Sequence, residues 1–332
     1  MGDVLVDAYD AAFFDLDGVI YLGPVAVEGA VTAMASLVAG GTRVMYVTNN
    51  AARSSQAVVD HLRQLRFSAD ESIVLTSAQV AARAIAEALP AGAAVLVAGS
   101  DNLVDLIRGA GLTPVASADE NPVAVVQGYH PQLTWPMLDE ACLAIQRGAV
   151  WYATNDDTSR PTDRGIVPGL GAMIAAISLA IGGSPAAIFG KPFRPMLAEA
   201  VRRTGAQHPI FVGDRIDTDI VGANRAAMDS LLVFSGAHGK ADLLAAGPGE
   251  RPTHIGADLG ALLEPPRRLL PTATGVACSD QRVEVQGREA VIVGQPATVK
   301  QQLDALWALA ALSWGDPGLE TAAALGSLDQ IG

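Results

Sequence analysis

Two aspartates close an apolar run at Phe13-Phe14-Asp15-Leu16-Asp17-Gly18-Val19-Ile20, spaced i and i+2, with a glycine directly behind them. Where a strand runs out, period-two geometry can turn both carboxylates towards one pocket, and Gly18 lets the backbone approach an anion closely. Three more polar clusters follow apolar runs in the same way. Thr48-Asn49-Asn50 comes after Val47 and offers a hydroxyl, amides and loop N–H groups to phosphate oxygens. Gly190-Lys191-Pro192 comes after Phe189 and supplies one ammonium, and Gly213-Asp214-Arg215-Ile216-Asp217-Thr218-Asp219 comes after Val212 as an acidic loop. Each is an ordinary turn by itself. Together, all at strand ends, they assemble three acids able to hold Mg²⁺ through oxygen and one cation for the remaining charge of a phosphate.

Such clusters need a frame that delivers strand ends to one edge. Short runs rich in Val, Ile, Leu and Phe predict strands at 12–14, 43–47, 94–98, 123–126, 149–153, 187–189, 210–212 and 231–234. Helical patterns at 30–38, 56–65, 134–147 and 194–203 lie between many of them. Strands this uniformly apolar belong in parallel sheets covered on both faces, so the fold class is α/β, and ligands bind outside the carboxyl ends of the strands. A boundary falls near Pro265, Pro266, Arg267 and Arg268. Beyond it, strands at 275–278, 283–285 and 290–293 and a helix at 297–311 read as an appendage, with Trp307 and Trp314 as its core.

The chain has 332 residues, half of them hydrophobic and 17% charged, which suits a folded protein of two or three domains. Its 22 basic and 35 acidic residues give a net charge of −13, the wrong sign for tracking nucleic-acid phosphates or anionic lipid. Cys142 and Cys278 form no ligand cluster and read as two buried thiols, and the five histidines form no metal-binding pair. His130, in Gly128-Tyr129-His130-Pro131, is retained as a substrate-contact candidate. Asp3, Asp7 and Asp10 stand where an export signal carries basic residues, which points to the cytoplasm. Residues 165 to 190 carry no charge, but Pro168, Gly169, Gly182, Gly183 and Pro185 break the run. What remains, 170–181, is predicted as a short buried helix, not a membrane span.

The ordered motifs DLDGV, VTNN, GKP and GDRIDTDI resemble the four signatures of the haloacid dehalogenase superfamily, over residues 8 to 264. More narrowly, they resemble the subfamily of p-nitrophenyl, phosphoglycolate, glycerol-3-phosphate and pyridoxal phosphatases. Tyr152-Ala153-Thr154-Asn155-Asp156-Asp157, then Pro161, Gly165 and Pro168-Gly169-Leu170-Gly171, is similar to that subfamily's TNxD…P…G…PGxG run, although Arg160 stands where relatives often carry an aromatic residue. The resemblance implies a parallel-sheet, Rossmann-like core (1–76 and 190–266), an inserted α/β cap (77–189) and a small C-terminal α+β extension (267–332). It also implies a phosphomonoesterase acting through an aspartyl-phosphate. Asp15 would be the nucleophile, Asp17 the acid and base, and Lys191 the charge-neutralising cation. Gly18, Thr48, Asn49, Asn50 and Asn155 would bind phosphate or substrate. Mg²⁺ would sit on the Asp15 carboxylate, the Asp17 carbonyl and Asp214, with Asp219 orienting metal-bound water or Lys191.

Within the superfamily, dehalogenases lack the second acid and transport ATPases carry threonine there, so Asp17 excludes both. On family likeness the substrate is a small phosphate ester, glycerol 3-phosphate first, with phosphoglycolate and pyridoxal phosphate as alternatives and a non-catalytic phosphate sensor as the reading from another class. The subfamily often dimerises through its caps, so a homodimer through the cap is a further expectation.

Overall fold

The computed structural model describes residues 4–162 and 164–331; Asp3, one of the three N-terminal aspartates, lies outside them. The chain divides into two compact units: Met1–Tyr46 with Arg63–Ser68 and Val201–Gly332, and Val47–Leu62 with Ala69–Ala200.

In the first unit the strand Ala11–Phe14 is buried at all four positions, as a strand paired on both sides and covered on both faces must be. It runs parallel to Pro209–Gly213, with Phe14 opposite Val212, and parallel to Arg43–Thr48, with Phe14 opposite Tyr46. Beyond Pro209–Gly213 the sheet continues in parallel through Asp229–Val233 to His254–Gly256. The helix Ala30–Ala39 buries Ala30, Ala33, Met34 and Leu37, the i, i+3, i+4, i+7 face of an amphipathic helix. Parallel polarity brings the carboxyl ends of Ala11–Phe14 and Pro209–Gly213 to one edge. The Asp15 N–H still donates to Val212 O at 2.9 Å, so Asp15 leaves the sheet beside the strand that leads to Asp214.

Residues beyond 267, expected as an α+β extension, fall within this same unit. Four antiparallel strands, Leu269–Pro271, Gly275–Cys278, Gln281–Gln286 and Glu289–Val293, form a second sheet. The helix Val299–Gly315 starts at the Thr298 cap and is buried at nine successive positions, Gln302 to Ala310. Nine residues exceed two turns, so the middle of this helix has no solvent face. Leu303, Leu306 and Leu309 join Cys278 and Val283 in one apolar cluster with Ile216, Ile220, Leu232, Leu243 and Ile255 of the parallel-sheet part. Trp307 packs edge to face on Trp314 at 5.5 Å, and Trp314 Nε1 donates to Leu243 O, so the tryptophan pair is core to both parts. Arg267 and Asp304 form a buried ion pair at 2.9 Å at the junction. Burial pushes the Cys278 thiol up to about 11, so this thiol is inert at neutral pH. Cys142 is only half-buried, contrary to the expectation of two buried thiols.

The second unit has its own parallel sheet, in the order Ala187–Ile188, Val150–Ala153, Ala124–Gln127, Ala94–Ala98, Thr113–Val115. A capping box between Thr76 and Gln79 opens the helix Ser77–Ala88. Ser159–Thr162 and Gly165–Pro168 pair as an antiparallel hairpin that the sequence pattern did not reveal. The helix Leu170–Ile181 has the predicted span but not the predicted environment. Only Leu170, Ile174 and Ile177 are buried, and Leu179 is 90% exposed. Absence of charge fixed the length of this helix, while its burial depends on neighbours the pattern does not contain. Among the described residues, no helix is long and apolar enough to cross a membrane.

Candidate active site

In the first unit, oxygens of Asp15, Asp214 and Asp219 lie within 4.8 Å of one another. Asp15 is 8%, Asp214 2% and Asp219 0% exposed. Three carboxylates this close and this buried form a set of hard oxygen donors that suits Mg²⁺, and a cation among them would offset their mutual repulsion. The backbone is built to allow the approach. Gly18 has φ +90°, and a Cβ there would stand 2.2 Å from Asp214 Oδ2. The expected acidic loop after Val212 is more ordered than that: Ile216–Ile220 is one π-helical turn running into the helix Val221–Arg225. The Arg215 N–H donates to Asp219 Oδ2 at 3.1 Å, so the wide turn aims Asp219 back towards the strand end. Asp17 lies exposed just beyond Asp15 and bridges Tyr21; its carboxylate is not in the cluster.

The second unit holds the groups expected to bind phosphate. Thr48 is buried, and its Oγ1 accepts the Asn50 N–H at 3.1 Å. The Asn50 side chain accepts from Ala52 N at 3.0 Å, which makes it part of a local turn. Asn49 has a more specific task. Its Oδ1 accepts from Lys191 N at 2.7 Å while its Nδ2 donates to Lys191 O at 2.9 Å and to Asp157 Oδ1 at 3.1 Å. One side-chain amide thereby grips both main-chain groups of Lys191, a residue only 3% exposed. Asn155 Nδ2 and Ser77 Oγ both donate to Asn49 O, at 2.8 Å each. Asn155 therefore contacts the Asn49 backbone. Gly190 admits this packing, since a Cβ there would stand 2.6 Å from Asn49 Oδ1.

Ser77 has no signature of its own in the sequence, whereas Asp157 is the closing acid of the run that resembles TNxD. His130 is held locally, its Nδ1 accepting from Gln132 N at 2.9 Å. Its neighbour Tyr129 carries the exposed Arg160 guanidinium 5.0 Å above its ring.

The first unit thus carries a metal-sized carboxylate cluster at the carboxyl edge of a parallel sheet, and the second carries a buried lysine; the same chain order of motifs appears in known proteins. Residues 12–113 match the haloacid dehalogenase-like hydrolase model, and residues 188–262 match a second model of HAD-like hydrolases. The chain belongs to the haloacid dehalogenase-like hydrolases. It is 42% identical over 258 residues to the D-glycerol 3-phosphate phosphatase of Mycobacterium tuberculosis, covering 78% of this chain and 72% of that protein. It is 36% identical to an acid sugar phosphatase of Staphylococcus aureus over 69% of this chain and 87% of the relative. The crystal structure of the M. tuberculosis glycerol phosphate phosphatase in complex with magnesium superimposes with a TM-score of 0.85 at 38% identity, covering 94% of this chain and 92% of that one.

Proposed function

We propose that this chain is a Mg²⁺-dependent phosphomonoesterase acting on glycerol 3-phosphate through an aspartyl-phosphate. The buried Asp15, Asp214 and Asp219 cluster carries the reading; the substrate rests on likeness to the mycobacterial phosphatase. Residues 1–76 and 190–266 act as the catalytic core, 77–189 as a cap that selects the leaving group, and 267–332 as an extension. An Asp15 oxygen attacks phosphorus and the bond to the leaving oxygen breaks, while Asp17 gives that oxygen its proton. Asp17 then takes a proton from water, the water oxygen attacks phosphorus, and the Asp15–phosphorus bond breaks to release inorganic phosphate. The Thr48 hydroxyl and the Asn49 backbone hold phosphoryl oxygens, and the Lys191 ammonium offsets their charge. Held by the Asp15 carboxylate, the Asp17 carbonyl and Asp214, Mg²⁺ supplies positive charge that steadies nucleophile and phosphate.

Phosphate release from glycerol 3-phosphate, phosphoglycolate, pyridoxal phosphate and sugar phosphates, with and without Mg²⁺, tests this. Turnover that chelation abolishes, with glycerol 3-phosphate preferred, is the expected outcome. Preference for another ester reassigns the substrate, and tight binding without turnover on any of them favours a phosphate sensor.

A cytoplasmic location and a homodimer through the cap complete the proposal. The helix Leu170–Ile181, which carries the 90% exposed Leu179 in its last turn, supports the dimer. Light scattering is expected to show a dimer that Leu179→Glu converts to monomer. A parent chain that is monomeric at micromolar concentration removes this part of the reading.

A further inference from the structure

We propose that Ser235 is a positioning residue for the metal site, tying together the two acid-bearing loops from a third strand. The proposal rests on the metal-dependent reading above. In the sheet, Pro209–Gly213 lies between Ala11–Phe14 and Asp229–Val233, so the turn after Val233 is two strands away from the turn after Phe14. It nevertheless reaches across. Ser235 Oγ donates to Gly18 O at 2.7 Å, a contact between residues 217 apart in sequence.

The same turn grips the loop it passes over. The Ala237 N–H donates to Asp214 Oδ2 at 2.7 Å and the His238 N–H to Asp214 O at 3.2 Å. His238 Nδ1 accepts the Ile216 N–H at 2.9 Å, holding the start of the π-helical turn that carries Asp219. A Cβ on Gly236 would fall 2.0 Å from Asp214 Oδ2, so the turn lies directly against that carboxylate. Four successive residues, Ser235 to His238, thus meet both loops.

Ser235 acts on the peptide next to the main-chain ligand, since Gly18 O belongs to the Gly18–Val19 peptide and the Asp17 carbonyl to the one before it. The Gly18 N–H donates to Tyr21 O at 2.8 Å, and a trans peptide points the Asp17 carbonyl the opposite way. Gly18 has no side chain and sits at φ +90°, and from within the loop the next peptide plane is restrained by a long bond, Val19 N–H to Leu16 O at 3.4 Å. The Ser235 hydroxyl fixes it from outside, and with both flanking peptides held, the Asp17 carbonyl keeps one direction relative to Asp214. Partners of this kind, one shell out from the ion, commonly set metal affinity.

The test uses Mn²⁺ as probe, read by electron paramagnetic resonance on the metal-free full chain. Ser235→Ala is expected to raise the Mn²⁺ Kd about tenfold, and Ser235→Thr, which keeps the hydroxyl, to restore it to within about twofold. The Mg²⁺ concentration for half-maximal turnover rises in step, while the ester KM at saturating Mg²⁺ stays put. A Ser235→Ala chain that binds Mn²⁺ as the parent does overturns the proposal. So does Ser235→Thr failing alongside Ser235→Ala with an equal fall in Tm, which marks a merely structural residue. Asp214→Asn separates the two layers: a parent with no Mn²⁺ site that Asp214→Asn removes sinks the metal-dependent reading itself, and this proposal with it.

Discussion

Asp15→Asn is expected to lower phosphate release by about 10⁴-fold or more, the scale seen when a nucleophile is removed. The same substitution is expected to make the metal-free protein more stable. Three buried carboxylates with oxygens within 4.8 Å repel one another when no cation is present, and an amide at position 15 removes one charge without changing the shape. The gain is on the order of 1 kcal/mol, or roughly 2–4 °C in Tm for a unit of this size. Added Mg²⁺ should then raise the Tm of the parent more than that of the variant, because only the parent keeps all three charges. Assay and thermal unfolding with and without Mg²⁺ check both halves. Residual turnover within tenfold of the parent would falsify the nucleophile assignment, and a metal-free Tm below that of the parent would remove the repulsion argument.

The second large effect is expected at the far end of the chain. Leu306 is fully buried in the cluster shared with Ile216, Ile220, Leu243 and Ile255. Leu306→Ala removes its contacts and leaves a cavity where the packing cannot collapse, costing about 3 kcal/mol. In a unit of this size that lowers Tm by roughly 6–12 °C. Deleting residues 268–332 goes further, since it uncovers Ile216, Ile220, Leu243 and Ile255 and strips Asp304 from Arg267. The shortened chain is expected to aggregate. Soluble expression of residues 1–267 with unchanged kinetics would show that the extension matters neither for folding nor for catalysis.

The parts legible in the sequence were those written locally. Four buried residues in Ala11–Phe14 announce a central parallel strand, and the acids behind it announce what its end presents. The strands Val74–Thr76, Thr113–Val115, His254–Gly256 and Leu269–Pro271 escaped because three residues carry too little pattern to separate from a loop. The bracing residues escaped for a different reason. Asn49 meets Asp157 across 108 residues and Ser235 meets Gly18 across 217, and spacing along the chain encodes neither meeting. Pro265 and Pro266 mark where the chain turns into the extension, but the packing of Leu303, Leu306 and Leu309 against Ile216, Ile220 and Leu243 is not written in any local pattern. The helix Leu170–Ile181 shows the opposite, its apolar sequence suggesting a burial that its neighbours do not provide.

The helix Val299–Gly315, enclosed from Gln302 to Ala310, also bears on how the protein is made. Its unit combines residues 1–46, 63–68 and 201–332, so parts of one core are made far apart in synthesis. At about 5–20 residues per second, the strand Ala11–Phe14 waits many seconds for Pro209–Gly213, and Ile216, Ile220 and Leu243 wait again for Leu303, Leu306 and Leu309. The second unit, nearly contiguous from residue 69 to 200, can fold while the ribosome is still working. The unit bearing the carboxylate cluster closes only after residues 303–309 have emerged, and until then its nascent apolar surface is a natural client for chaperones.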